Sequence, residues 1–479
     1  MNSSLILLVL FGYFALLMLV SFITGRKATD NEAFFTARHS SPWWVVAIGM
    51  VGASISGVSF VSVPGMVGGI QFSYMQTVLG FFVGYLIIAK VLLPLYYRLQ
   101  LTSIYTYLGQ RFGNRSYTTG ASFFLLSKTL GAAARLYVVA IILQTMVFDS
   151  WNVPFWLTIT AILLMIWLYT FRSGIKSIVW TDTLQTIVML TALVIMVGKM
   201  LDMNGLTVNS FLSTLHGDVN SRVFVFDNWI SKQHFVKQFF SGIFIAVVMT
   251  GLDQDMMQKN LTCRNLKDAQ KNMYWYGVAF IPFNLLFLML GWLMFTFAQS
   301  NGISLPTAGD QLLPFFAQNY FGTAVMLLFV TGIIAAAFSS ADSALAALTT
   351  SFMVDILKVN PSDDRKKLRI GIHAGISMLF VVIVMIIRQM NDRSIIDTIY
   401  VLVSYTYGPL LGMFAFGLFT RRQPADRWVP WLAIASPLVC FIINELSIRY
   451  TAYAFGYELL LMNGLLMFTG LYISSKKWK

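Results

Sequence analysis

The chain has 479 residues, 57% apolar and only 11% charged, with mean hydropathy +0.71 and a formal net charge of +13. Soluble domains carry about 25% charged residues, so the composition argues against a soluble enzyme or nucleic-acid-binding domain and for a polytopic membrane protein. Two distant cysteines (Cys263, Cys440) and four scattered histidines give neither a disulfide framework nor a zinc spacing.

The first apolar run is 5–24, close to the ~20 residues a spanning helix needs. Positive charge follows it, at Arg26 and Lys27, the reverse of a secretory signal. A retained first helix with its N-terminus outside is expected. Further runs lie at 43–69, 73–97, 116–148, 154–171, 177–202, 234–258, 272–298, 321–354, 368–387, 395–420, 428–446 and 452–474. They predict thirteen spanning helices. With the N-terminus outside, most of the 33 Lys and Arg fall on inner segments, among them Lys259, Arg264, Lys267 and Lys271. Outer segments and outer span ends hold only Lys199, Arg222, Lys232, Lys237, Arg388, Arg393 and Arg449. This asymmetry predicts a multi-pass cell-membrane protein with a cytoplasmic C-terminus. Basic loops facing anionic headgroups of the lipid bilayer also explain the net charge, without a nucleic-acid partner.

Two runs are interrupted. The second contains GASISGVS (52–59), then Pro64, residues that form helix poorly. An unwound segment there would free carbonyls, which a membrane tolerates only where they line a cavity or bind something. A small-residue packing face is the alternative. The seventh ends AVVMTGLDQDMMQKN, with Gly251, Asp253, Gln254 and Asp255 near the inner boundary, which an ordinary polar helix end would also explain. Broken helices in corresponding positions of two halves point to an inverted-repeat transporter with a midplane site, and an offset of five fits two five-helix repeats.

In the ninth run, AAAFSSADSALAALTT (335–350) places Ala336, Ser339, Ser340 and Ser343 on one helical stripe with Asp342 beside it. Hydroxyls facing free carbonyls would suit a small hard cation such as sodium, although serines also bond back to their own helix. A carboxylate inside a span favours function. Asp182, in GIKSIVWTDTLQ, is a second such acid, or else an acid stabilised at a helix start. In the fourth run, Lys128 and Arg135 stand at i and i+7.

GIKSIVWTDTLQ, FSSADS, GLDQDMMQKNL and YGPLLGMFAFGLFTRR together resemble the sodium/solute symporter family, across essentially the whole chain. The resemblance implies an all-α membrane fold with a leading helix (1–42), two inverted five-helix repeats (43–205 and 206–422) and two trailing helices (423–479). It implies sodium-coupled solute uptake by alternating access, with no cofactor beyond the coupling ion and no enzymatic activity. By the family pattern, one sodium site comprises Gly52, Ile55, Ala336, Ser339 and Ser340. A second ion site in some members would here comprise Asp182, Ser339, Asp342 and Ser343. Asp342 departs from the hydroxyl-rich pattern, and two close acids could share a proton.

Ser54, Ser56, Ser59, Gln76, Lys128 and Arg135 are the candidate substrate contacts. The polar set of the family's galactose carriers is replaced by Ser54, Ser59 and Val78. Arginine suits carboxylate recognition, so the expected solute is a small organic anion such as a sialic acid or a monocarboxylate. A neutral sugar or polyol is the alternative, and Arg135 paired with Asp182 is the structural reading of that cation. A channel would need rings of one charge sign, and an intramembrane hydrolase a nucleophile–base pair. The sequence displays neither.

Overall fold

The computed structural model describes residues 3–25, 31–171, 174–360, 363, 365–390, 395–451 and 453–477. The basic residues Arg26, Lys27, Arg172, Arg393 and Lys479 of the orientation argument lie outside them. In chain order the principal helices are α1 (Ser4–Thr24), α2 (Trp43–Ser54), α3 (Gly57–Ile70), α4 (Tyr74–Arg98), α5 (Asn114–Trp151) and α6 (Phe155–Thr170). Then come α7 (Gly174–Met203), α8 (Phe235–Gly251), α9 (Gln254–Leu261), α10 (Leu266–Ser300) and α11 (Gly322–Ile356). The last are α12 (Lys366–Gln389), α13 (Ile399–Thr406), α14 (Gly408–Phe419), α15 (Asp426–Thr451) and α16 (Leu459–Ile473).

Each apolar run falls on one of these helices or on a bent pair. Eight are long and apolar enough to cross a membrane alone, or eleven spans result if each bent pair counts as one. The helices α6 and α16, of 16 and 15 residues, are shorter than a straight span requires. The bent pairs are α2–α3 at 59°, α8–α9 at 64° and α13–α14 at 45°. The first two are the interruptions read from sequence. The third has its own local cause, since Gly408 and Pro409 open α14 and proline is best tolerated in a helix's first turn. The 203–233 and 299–320 connections carry short helices, Val208–Gly217 and Leu312–Asn319. One two-stranded antiparallel ribbon, Arg422–Pro424 with Ser475–Lys477, departs from the all-α expectation.

The core is built around α7 and α11, which pack on each other, with α2 against both. Small residues permit this closeness. A Cβ on Gly52 would overlap the Thr186 hydroxyl and approach the Thr186 Cβ to 2.9 Å. In lipid, where apolar burial drives little helix association, such packing is what holds helices together.

Candidate functional site

The two central breaks differ in how their freed backbone is satisfied. At α8–α9, the Gly251 carbonyl accepts from the Tyr96 hydroxyl at 2.8 Å and the Leu252 carbonyl from Tyr105 at 2.8 Å. Asp253 caps α9 by accepting from the amides of Asp255 (2.9 Å) and Met256 (3.3 Å). At α2–α3, Ile55 leaves the helical region (φ −79°, ψ 81°) and Ser56 is extended. The Ser56 amide, which an unbroken helix would direct to Gly52, instead donates to the Ser54 carbonyl at 3.0 Å. The Gly52 carbonyl thereby loses its helical donor, and the Ile55 carbonyl accepts no hydrogen bond among the described residues. The serine helix α11 packs against both α2 and α3, with Ala336, Ser339 and Ser340 all buried. Ser340 makes only an i−3 bond to the Ala337 carbonyl, at 3.1 Å.

Ser339 faces a neighbouring acid. Its hydroxyl donates to Asp182 Oδ1 at 2.6 Å, and Ser343, one turn on, donates to Asp182 Oδ2 at 3.1 Å. A hydroxyl that gives its hydrogen to a carboxylate keeps its lone pairs for a cation. Three members of the expected second ion site are therefore together. The fourth is not joined to them by a hydrogen bond. Asp342 Oδ2 accepts from Tyr169 at 2.7 Å, while Oδ1 has no hydrogen-bond partner among the described residues. Tyr169 is itself anchored, since Ser21 of α1 donates to its carbonyl at 2.6 Å. The helical register explains this: Asp342 is offset from the Ser339–Ser343 row and projects towards α6 and α1.

The cation at Asp182 is one the sequence reading assigned to an inner loop. Lys259, only 1% exposed, lies on α9 with Nζ 2.8 Å from Asp182 Oδ2 and 3.7 Å from Asp255 Oδ1. Asp182 is thus engaged by Lys259, which answers the alternative that Arg135 pairs with it.

A central cavity lies between the breaks. Ser54, Ser56, Ser59, Lys128 and Arg135 line it, with Tyr85, Tyr276, Tyr400 and Tyr407. Ser54 meets the Tyr276 hydroxyl at 2.6 Å, and Tyr276 donates to Tyr85 at 3.0 Å. The two cations differ. Lys128 is held by Asp255 Oδ2 at 2.7 Å and Asp253 Oδ2 at 3.1 Å, and Tyr407 also donates to Asp253 at 2.7 Å. Arg135 has no ion pair or hydrogen bond with any described residue.

Gln76 is the expected substrate contact that the cavity does not contain. Its amide donates to the carbonyls of Gln233 (2.9 Å) and Ser73 (3.2 Å), and its oxygen accepts from the Val225 amide (3.1 Å). Both ends of the side chain are consumed in fastening the 203–233 connection to α4. The tyrosines and Lys259 escaped the sequence reading because ring hydroxyls and single lysines carry no spacing signal. The polar run Asp253–Asp255 was visible, but its partner Lys128 is over a hundred residues away.

A family model described as "Sodium:solute symporter family" matches residues 34–426. The chain is 26% identical to the sodium/sialic acid symporter NanT of Aliivibrio fischeri over 462 residues, covering 93% of this chain and 88% of that one. It is 25% identical to the sodium/sialic acid symporter SiaT of Proteus mirabilis over 471 residues, covering 92% and 89%. Sodium-coupled monocarboxylate transporter 2 of Homo sapiens is 25% identical over 420 residues, covering 82% and 64%. Among solved structures, a Na+-coupled sialic acid symporter in a substrate-bound outward-open state shares the fold, with TM-score 0.81, 20% identity and 99% coverage of both chains.

Proposed function

The chain belongs to the sodium:solute symporter family, and from that premise we propose that it couples sodium entry to uptake of a small organic anion by alternating access. The observation that carries the anion is Arg135, a guanidinium lining the central cavity with no hydrogen bond or ion pair to any described residue. An unpaired cation in a membrane interior is costly unless something binds it, and a planar guanidinium matches a carboxylate with two parallel hydrogen bonds. Lys128 serves structure, its ammonium already committed to two acids. The Ser54–Tyr276–Tyr85 hydroxyl chain on the same wall suits a polyhydroxylated body. Sialic-acid-like solutes therefore come first and simple monocarboxylates second, in keeping with what the named relatives carry.

The coupling ion sits at the α2–α3 break. Oxygen ligands come from the Gly52, Ile55 and Ala336 carbonyls and the Ser339 and Ser340 hydroxyls. The contrast between the breaks supports this: tyrosines occupy the carbonyls of one, and the Gly52 carbonyl of the other has lost its donor. In this reading thirteen segments cross the cell membrane, the N-terminus lies outside and the C-terminus inside, and residues 43–205 and 206–422 are the two inverted repeats.

Uptake of labelled carboxylates and their neutral amide analogues into proteoliposomes tests the anion. Truncating one partner of a buried charge pair costs about 2 kcal/mol or more, so Arg135→Ala should raise the carboxylate KM at least ~30-fold. Unchanged carboxylate uptake in that variant, or preference for the neutral analogue in the unmodified protein, would overturn the reading.

A further inference from the structure

A groove lies apart from the central cavity, between the first turns of α5 and α15, lined by Asn114, Arg115, Thr118, Ser122, Phe123 and Ile434. On α5, Arg115, Thr118 and Ser122 stand at i, i+3 and i+7, one stripe of the helix. Neighbouring hydroxyls of α5 are satisfied by their own backbone. Thr119 donates to the Arg115 carbonyl at 2.7 Å, Ser127 to Phe123 at 2.6 Å and Thr129 to Leu125 at 2.6 Å. Thr118 and Ser122 make no hydrogen bond to any described residue, and neither do the side chains of Asn114 and Arg115. We propose that this groove binds one anionic glycerophospholipid of the inner leaflet, its phosphate at Arg115. The leaflet follows from the orientation proposed above.

Asp426, at the foot of the groove, does not take this role. It spends Oδ2 on the Arg115 amide at 3.0 Å and Oδ1 on the Ser116 amide at 2.8 Å. The start of α5 is therefore already capped, and the guanidinium is left for a phosphate, which it suits geometrically. The polarity of the groove runs in the order of a phospholipid. Charge stands at the foot and hydroxyls over the next two turns, where ester oxygens would accept from them. Hydrocarbon follows, with Leu126 on α5 and Leu438 on α15 half or more exposed. Exposed apolar side chains of this kind mark a membrane-facing surface. Trp428 and Trp431, 49% and 66% exposed at the start of α15, suit the headgroup level. Polar side chains left unpaired beside lipid are costly unless something meets them.

Native mass spectrometry of the detergent-solubilised protein, titrated with dioleoylphosphatidylglycerol or dioleoylphosphatidylcholine, tests this. The unmodified protein should hold one phosphatidylglycerol about fivefold more tightly than phosphatidylcholine, the factor one cation contributes at an anionic headgroup. Arg115→Gln should abolish the preference and Arg115→Lys should keep most of it. Thr118→Val combined with Ser122→Ala should weaken both lipids alike, because both carry the same esters. These side chains make no internal hydrogen bond to a described residue, so unfolding midpoints in lipid-free detergent should stay unchanged. Equal affinity for the two lipids in the unmodified protein, or a preference that survives Arg115→Gln, overturns the inference. So does a dimer that Arg115→Gln converts to monomer, which would give the groove to a second copy of the chain. None of these results bears on sodium coupling, which the uptake assays read.

Discussion

Lys128→Met separates a structural cation from a substrate-binding one. Lys128 and Arg135 share a helix and a cavity wall, yet only Lys128 is neutralised within the protein, at 2.7 Å from Asp255 and 3.1 Å from Asp253. Replacing the ammonium with an apolar chain of similar length leaves two acids, each under 5% exposed, beside each other. Asp253 retains its two amide donors and Tyr407, but the one ion pair Asp255 keeps among the described residues is with Lys259, at 3.7 Å. Breaking one side of a buried ion pair costs about 3–5 kcal/mol. Thermal unfolding in detergent, followed with a thiol-reactive dye, reports this well because Cys263 and Cys440 are both buried. The midpoint should fall by about 3–5 °C, and adding Asp255→Asn should recover part of the loss by removing the stranded charge. Arg135→Ala, which breaks no internal pair, should leave the midpoint nearly unchanged. If Lys128→Met melts like the unmodified protein while raising the solute KM as Arg135→Ala does, Lys128 is a solute ligand and the ion-pair argument is wrong.

Other variants follow from single contacts. Ser340→Ala should raise the sodium concentration for half-maximal uptake about tenfold, read by sodium titration, because a ligand to a charged group contributes roughly 1.5–3 kcal/mol. Gly52→Ala drives a methyl group into Thr186; overpacking of this kind costs about 1–3 kcal/mol, so the unfolding midpoint should drop and Thr186→Ala should restore part of it. Gln76→Ala should loosen the 203–233 connection, seen as faster proteolysis there, with the solute KM within about twofold of normal because Gln76 bonds to loop backbone.

The architecture was legible where chemistry is local. GASISGVS announced the first break through residues that resist helix, and Gly251–Asp253 announced the second. The third, at Tyr407–Gly408, had its signal in Gly408–Pro409 but sat inside an unbroken apolar run. The Ser339–Ser343 stripe and Asp182 were each visible, and the structure joins them as the helical period implies. Pairing across the fold was not legible. A count of basic residues by segment reads Lys259 as an inner-loop charge, because hydropathy records a charge and not its partner. Asp182 lies 77 positions earlier, on a helix that meets α9 only in three dimensions. Gln76 shows the converse: its position suited a substrate contact, but its side chain bonds to a loop distant in sequence. The satisfied backbone of the second break was equally hidden, since Tyr96 and Tyr105 belong to other segments.

The most direct test of the account is accumulation of a labelled sialic acid in proteoliposomes under an inward sodium gradient. Uptake should overshoot its equilibrium level, collapse when potassium replaces sodium, and be inhibited by carboxylate analogues. Equal uptake in sodium and potassium, or an overshoot that only neutral solutes produce, would contradict it.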